Sequence, residues 1–401
     1  MRKTAFFCGL LALIPSFVPA EEFLITRESE LKRVLKKVGP GDSIVLANGV
    51  WKDPQFRFEG LLGTAEKPIF IRAESPGKVV LTGKVRFRVS GKHVTVSGFS
   101  ILDPEEVSDV FEFRTHSERH AHQCRVTDCA FEQTRPSKTK ETRWLNVYGS
   151  GNRVDHCYFA GKQSRGTTLV VWVGDTPGAH RIDHNHFGPR PELGENGGET
   201  IRIGTSDVSE LNERTVVEHN YFERCNGEAE IISNKSCENT YRRNLFERCE
   251  GALTLRHGAR CLVDSNVFLG HEQPGTGGVR VIGSGHRVTN NYFEGLRGDT
   301  ERAAISFMNG IPDGPLNGYA PVHNALIAHN TLIDCKVSME IGIRTSKKMS
   351  VNPSDCLISH NVFVPGKWEL FRVHHAPHNF TWTGNKYQSG TTRGADLVDI
   401  D

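Results

Sequence analysis

The most regular feature of the sequence is a short motif of apolar and polar positions that returns along most of its length. The copy at residues 182–187 is IDHNHF, which has the form apolar-x-x-Asn-x-aromatic. Later copies start at Val217, Tyr241, Val263, Val288, Ile327, Ile358 and Trp382. Alternation over so few positions predicts short strands. Copies that recur at irregular steps are an internal repeat, and they exclude helical repeats of fixed length.

The Asn position of the motif indicates which fold the repeats build. Earlier copies carry Ser97, Cys129 and Cys157 at this position. In a parallel β-helix successive coils lie about 4.8 Å apart, so that like residues stack on one another. An inward Asn can then donate its amide to the next Asn, and the aromatic residue stacks in the core. The sequence therefore predicts an all-β chain folded as a single-domain, right-handed parallel β-helix.

A different pattern precedes the repeats. Leu31, Val34, Leu35 and Val38 follow helical spacing, and the Gly-Pro-Gly of residues 39–41 ends the pattern. We expect a short N-terminal helix that caps the open end of the solenoid.

The beginning of the chain predicts export. Arg2 and Lys3 precede an apolar run over residues 5–18, and Val18-Pro19-Ala20 offers small residues for cleavage. We expect residues 1–20 to be a signal peptide and residues 21–401 to form the β-helix domain, in the periplasm or secreted. No later run is long and apolar enough to suggest association with a membrane.

Charge and cysteine content exclude several classes of protein. The 401 residues include 49 Lys and Arg against 47 Asp and Glu, a net charge of +2, which does not suggest binding to nucleic acid. Cys225 and Cys249 each end a Phe-Glu-Arg-Cys sequence in adjacent coils, so a disulfide between them is one alternative. Small apolar thiols also suit core ladders, and we favour mostly unpaired cysteines. Without a C-x-x-C motif, a zinc site is not expected.

The first candidate for chemistry is an acidic pair. Glu228 and Glu230 are two residues apart, so on a strand their carboxylates project from the same face and repel each other. A hard divalent cation with oxygen ligands, Ca²⁺ first, would relieve that repulsion. The alternative is a solvated acidic face.

Basic residues follow the acidic pair. Lys235 lies just beyond it at the strand end, and Arg256 and His257 lie one coil later. Each alone is typical of a solvated strand face. Together they place an amine, which could serve as a base, beside a guanidinium. Strand alternation places His257 on the opposite face from Arg256, and we expect it to contact substrate or to pack.

At these residues the sequence resembles polysaccharide lyase family six, the β-helical group that includes alginate lyases and chondroitinase B. The resemblance runs from about Phe23 to the last coil. It implies that a calcium ion is held by Asn196, Glu228 and Glu230, with Glu199 as an alternative to Asn196 in the same loop. A second β-helical domain after the last coil is not expected.

The resemblance also implies the reaction. Lys235 would be the base and Arg256 the acid, or the stabiliser of the leaving oxygen, in β-elimination at a uronic acid. We expect Arg202, Arg280 and Tyr319 to contact an anionic polysaccharide, alginate rather than dermatan sulfate. Two other classes stay open: a non-catalytic carbohydrate-binding β-helix and a hydrolase that uses paired carboxylates.

Overall fold

The computed structural model describes residues 19–394, which form short strands in three long parallel sheets of 14, 15 and 13 strands. All but the last two residues of the predicted signal peptide lie outside the described residues. Within residues 19–394, no helix combines the length and the hydrophobicity that a membrane span needs. The predicted parallel β-helix is confirmed.

Successive coils contribute strands to each sheet in turn, and each strand pairs with its counterpart in the next coil. Sheet A contains Glu22–Ile25, Ser43–Leu46, Ile69–Ala73, Val94–Ser97, Arg125–Thr127, Arg153–Asp155, Arg181–Asp183, Val216–Glu218, Thr240–Arg242, Leu262–Asp264, Arg287–Thr289, Leu326–Ala328, Leu357–Ser359 and Thr381–Thr383. Sheet B contains Gly49–Lys52, Val79–Gly83, Phe99–Pro104, Ala130–Glu132, Tyr158–Ala160, His186–Phe187, Tyr221–Glu223, Leu245–Glu247, Val267–Leu269, Tyr292–Glu294, Thr331–Ile333, Val362–Val364 and Lys386–Tyr387.

The third sheet, sheet C, carries the candidate site on its outer face. Its strands are Gln55–Leu62, Arg86–Lys92, Asp109–Glu112, Arg114–His116, Arg119–His122, Arg143–Val147, Leu169–Val171, Ile201–Ile203, Glu230–Lys235, Gly251–His257, Thr276–Val281, Ile305–Met308, Val337–Ile343, Glu369–Val373 and Thr391–Arg393. The pair Arg114–His116 and Arg119–His122 forms a small antiparallel hairpin at the edge of this otherwise parallel sheet.

The Asn position of the motif forms the expected ladder between sheets A and B. Asn244 donates from Nδ2 to Asn266 Oδ1 at 3.0 Å and to Val217 O at 2.9 Å. Its own Oδ1 accepts from the backbone N–H and the side chain of Asn220, each at 3.0 Å. The aromatic position stacks as well, with ring centroids 4.6 Å apart between Phe246 and Phe268. Both features bind each coil to the next.

Replacing Asn244 by alanine should destabilise the protein by about 3 kcal/mol or more, because several buried groups of Asn220 and Val217 lose their partners. The same change at Asn385, which is only partly buried in the last coil, should cost clearly less. Urea unfolding of both variants measures the difference. Equal destabilisation would contradict the role assigned to the buried ladder.

The N-terminal helix is present but shorter than its pattern predicts. A 3-10 turn at Glu28–Glu30 leads into the helix Leu31–Val34, and Leu31 and Val34 are buried in the core. Leu35 and Val38 pack against the same core from a turn. Two further 3-10 turns, Ser206–Val208 and Thr300–Arg302, lie in the loops that flank sheet C.

The cysteines in residues 19–394 are all buried free thiols, as favoured from the sequence. The alternative bond between Cys225 and Cys249 is not formed. Instead, the Cys225 backbone N–H lies 3.4 Å from Cys249 Sγ. Burial raises the pKa of the Cys249 thiol, which makes it a packing residue rather than a reactive one.

Candidate active site

The strand register of sheet C brings the predicted basic residues together. Arg202, Ser233, Thr254 and Arg280 occupy matching positions on four successive strands. Lys235 and Arg256 lie two residues beyond Ser233 and Thr254. The pairing shifts by one residue before Lys235, and the side chains of Lys235 and Arg256 are both partly exposed on the outer face.

Lys235 is the last residue of its strand, and its ammonium group has neither a hydrogen bond nor an ion pair within residues 19–394. The neighbouring strand ends at Ile203, and the next residue, Gly204, has a φ of +80°. A Cβ at Gly204 would lie 2.6 Å from Lys235 O. A side chain at Gly204 is therefore excluded, because the backbone there packs closely against the end of the Lys235 strand.

Arg256 is held in place from several sides. Its Nη1 donates to Gly318 O at 3.1 Å and its Nη2 to Asn317 O at 3.3 Å. The guanidinium lies 4.3 Å from the centre of the Tyr319 ring, and its Nε is 3.9 Å from Glu230 Oε1. Burial lowers the pKa of Arg256, while Tyr319 and Glu230 oppose that shift. The result is a cation that is fixed in position at the edge of the open surface.

His257 does not face away from Arg256, so the prediction from strict alternation was wrong. The pairing shifts by one residue between Ser233 and Lys235, and Lys235 is in register with His257. His257 Nδ1 lies 3.3 Å from Arg256 Nη1, and its Nε2 lies 3.1 Å from Ser206 Oγ. Burial, with the charges of Arg256 and Lys235, lowers the pKa of His257 to about 3. A neutral His257 therefore supports Arg256.

Glu228 and Glu230 are not on one strand as predicted, because the strand begins at Glu230 and Glu228 lies in the turn before it. Glu228 Oε2 accepts from the backbone N–H groups of Gly197 and Gly198, at 2.8 and 3.2 Å. Burial raises the pKa of Glu228 to about 7, helped by the charges of Glu199 and Glu230 and opposed by those N–H donors. The turn therefore holds a surplus of negative charge.

A cavity of about 400 Å³ brings Asn196, Glu228 and Glu230 together. Glu199 is buried beside it, with Oε2 3.3 Å from Thr167 Oγ1. No group of three His, Cys, Asp or Glu side chains in residues 19–394 is arranged for a metal ion. The predicted set instead combines two carboxylates with one amide.

Arg280 lies in the wall of that cavity and is already engaged. Its side chain is only 5% exposed, its Nη1 is 3.6 Å from Glu230 Oε1, and its Nη2 is 3.4 Å from Glu301 Oε2. The same Nη2 donates to Tyr319 Oη at 2.7 Å. Arg280 and Tyr319 thus both lie at the site, where they are hydrogen-bonded to each other.

Arg202 differs from Arg280. The Nε of each arginine is buried without a hydrogen-bond partner, but no carboxylate of residues 19–394 forms an ion pair with Arg202. The Arg202 guanidinium lies 5.4 Å from the centre of the Trp172 ring. Burial lowers the pKa of Arg202. Among the predicted substrate contacts, Arg202 is therefore the arginine whose charge lacks a carboxylate partner within residues 19–394.

Several residues around the site were missed from the sequence. The Trp172 ring lies beside Arg202. Trp172 directly follows the strand that precedes the Arg202 strand by one coil, and this position in the repeat could have pointed to it. Arg190 is buried and donates to the carbonyl groups of Ser164, Gly166 and Glu199, which fixes the loop that carries Asn196. No signal in the sequence distinguishes such a buried arginine from the exposed ones.

Comparison with known proteins gives this arrangement a family. The chondroitinase B family model matches residues 25–362. The solved structure of the family 6 alginate lyase AlyGC is 38% identical over 92% of this chain, with a TM-score of 0.85. The chain belongs to polysaccharide lyase family 6. A mannuronic acid specific family 6 lyase from human gut microbiota is 32% identical, with a TM-score of 0.78, over 92% of this chain and 87% of its own.

Other family 6 structures share the fold at lower identity, among them the lyase Pedsa3628 from Pseudopedobacter saltans at 23%, which covers 92% of each chain with a TM-score of 0.74. This family 6 chain spans about half the length of AlyGC, 52% of it. No curated protein sequence matches the chain.

Proposed function

We propose that this family 6 protein is a lyase that cleaves a uronic acid polysaccharide, alginate first, by β-elimination. The observation that carries the proposal is the unpaired amine of Lys235 beside the fixed guanidinium of Arg256, on adjacent strands and next to the carboxylate cavity. A carbohydrate-binding solenoid has no need of an amine that lacks a partner within residues 19–394 beside a fixed cation.

Lys235 acts as the base in the fraction of molecules in which its amine is uncharged. It takes the proton from C5 of the uronic acid, the electron pair of that bond forms the C4–C5 double bond, and the C4–O bond breaks. Arg256 lies at the oxygen that leaves. Its guanidinium stabilises the negative charge on that oxygen, and water supplies the proton, because arginine itself does not release one.

The oxygen donors in the cavity fit a calcium ion. Asn196, Glu228 and Glu230 would hold it. The carboxylates of Glu199, Glu228 and Glu230 repel one another, and a bound cation would relieve that repulsion. When bound, the ion would neutralise the substrate carboxylate and so make the C5 proton more acidic.

Arg202 supports an anionic polymer as substrate. A half-buried guanidinium that has no carboxylate partner within residues 19–394 can bind the carboxylate of a neighbouring sugar. The family model favours dermatan sulfate as the second candidate. Sulfated sugars require additional free cations, and Arg256 and Arg280 already have partners. We therefore place alginate first, and the export predicted from the N-terminal sequence would agree with a polymer found outside the cell.

Incubation with polymannuronate, polyguluronate and dermatan sulfate tests the proposal. We expect ultraviolet absorbance from the new conjugated double bond with at least one of the two alginate polymers. Absorbance with dermatan sulfate alone would replace alginate by the second candidate. New reducing ends without absorbance would indicate a hydrolase, and no change with any polymer would overturn the lyase assignment.

A further inference from the structure

Two loops from opposite sides of sheet C meet above Arg280. Glu301 belongs to the turn Thr300–Arg302, which follows sheet B, and Tyr319 belongs to the segment 309–321, which follows sheet C. Both contact one nitrogen, Arg280 Nη2, at 3.4 Å for Glu301 Oε2 and 2.7 Å for Tyr319 Oη. We name the set Glu301, Arg280 and Tyr319 the crossbar. It spans the outer face of sheet C.

The Glu301 end of the crossbar is anchored in the next coil. Thr300 has a φ of +52°, an unfavourable conformation for a β-branched residue, and its N–H donates to Glu340 Oε2 at 2.8 Å. Glu340 is completely buried and contacts His374 Nε2 at 2.6 Å and Arg372 Nη1 at 3.5 Å. A buried carboxylate with these partners fixes the turn, so Glu301 is not a mobile surface residue.

The Tyr319 end is anchored as well. Ile311 N–H donates to Tyr319 O at 2.8 Å, and Gly310 N–H donates to Val351 O at 2.8 Å, so the segment is closed on itself and tied to the next coil. Beyond it lies a second cavity of about 610 Å³, which is also lined by Tyr319. The segment therefore separates that cavity from the one that holds Glu228 and Glu230.

These contacts close the binding surface on one side. The strand of Arg280 is the second after that of Lys235, so the crossbar stands about 10 Å along the solenoid from the base. The path across the strands is closed too, because Asn317 and Gly318 cover Arg256. Toward the N-terminal coils, the adjacent strand presents Arg202, whose guanidinium has no carboxylate partner within residues 19–394 and so can bind the next sugar. A polysaccharide bound at Lys235 can extend in that direction only.

We infer that the crossbar makes this enzyme cleave near a chain end and release short products of narrow size, an inference that rests on the proposed lyase function. An enzyme of this kind lowers the viscosity of its polymer slowly, since each cut removes only a short terminal piece. One that cuts within the chain lowers the viscosity after few cuts.

The test compares viscosity with ultraviolet absorbance in one reaction on long alginate, with product sizes measured by size-exclusion chromatography. For the wild type we expect short products from the earliest times and little loss of viscosity per double bond formed. Glu301→Ala combined with Tyr319→Ala should lose viscosity at several-fold lower absorbance and release longer products. The matched control is Leu316→Ala, since Leu316 is an exposed residue of the same segment. This variant should keep the wild-type ratio of viscosity loss to absorbance.

The outcomes separate the two proposals. Absorbance that rises while the wild type makes long early products would overturn the crossbar inference and leave the lyase function intact. An unchanged ratio of viscosity to absorbance in the double variant would also overturn it. Glu301→Gln provides a milder variant, which removes the charge from a side chain that is 32% exposed and therefore preserves folding. No absorbance in any sample would overturn both proposals.

Discussion

Lys235→Ala should reduce the rate of elimination by about 10²- to 10⁴-fold, the usual contribution of a positioned general base. The loss should fall mainly on kcat, because Arg202 and a calcium ion held in the carboxylate cavity would still bind the polymer. Initial rates of ultraviolet absorbance over a range of alginate concentrations measure kcat and KM separately. Thermal unfolding checks that the variant is folded, which we expect because the Lys235 ammonium group has no partner to lose among the residues that the structure describes.

Two further variants distinguish a role of Lys235 as the base from a role as a positive charge that binds substrate. Lys235→Arg keeps a cation of similar length but cannot accept a proton at neutral pH, so it should be nearly as inactive as Lys235→Ala. Lys78→Ala removes an exposed lysine far from sheet C and should behave like the wild type. A Lys235→Arg variant of near wild-type activity would show that Lys235 binds substrate through its charge, and a different group would then have to be the base.

The fold could be predicted from the sequence because its repeated contacts are local to one position of the motif. Asn220, Asn244 and Asn266 each bond the next by the same atoms, so one rule accounts for the whole ladder. The N-terminal helix obeys no such repetition. Helical spacing continues to Val38, but the helix ends at Val34. Leu35 and Val38 pack against the core from the non-helical residues that follow.

The sequence predicted which residues lie at the site, but not the directions in which their side chains point. Alternation along an ideal strand separates Arg256 from His257 and joins Glu228 to Glu230, and the structure departs from both expectations. In each case the strand is irregular, with a pairing shift before Lys235 and a strand start at Glu230. Periodicity in a sequence does not reveal such irregularities.

The contacts of Arg280 were beyond any rule based on spacing. Its partners Glu301 and Tyr319 lie in irregular loops on opposite sides of sheet C, and only the folded chain brings them to one guanidinium. Arg202 and Arg280 look alike in sequence, each with apolar neighbours on a strand. Their surroundings differ: within residues 19–394 Arg202 has no carboxylate partner, whereas Arg280 has two.

Removing calcium should lower the activity by about 10²-fold or more, because the substrate carboxylate then keeps its full charge next to the C5 proton. Dialysis against a chelator followed by titration with Ca²⁺ measures both the loss and its recovery. Glu228→Gln should weaken calcium binding by about tenfold or more, which calorimetry detects independently of activity. Glu192→Gln makes the same change in charge at an exposed residue of the same cavity and should bind calcium like the wild type.

Thermal stability shows whether Glu228 is a calcium ligand or a residue that stabilises the fold. The charge of Glu228 is unfavourable in the metal-free protein, since it is buried near Glu199 and Glu230. Glu228→Gln should therefore unfold at the same temperature as the metal-free wild type or higher, while calcium should stabilise the wild type more than the variant. If the metal-free enzyme were fully active, or if calcium stabilised both proteins equally, Asn196, Glu228 and Glu230 would not form the calcium site, and the carboxylate of the substrate would have to be neutralised by Arg202 alone.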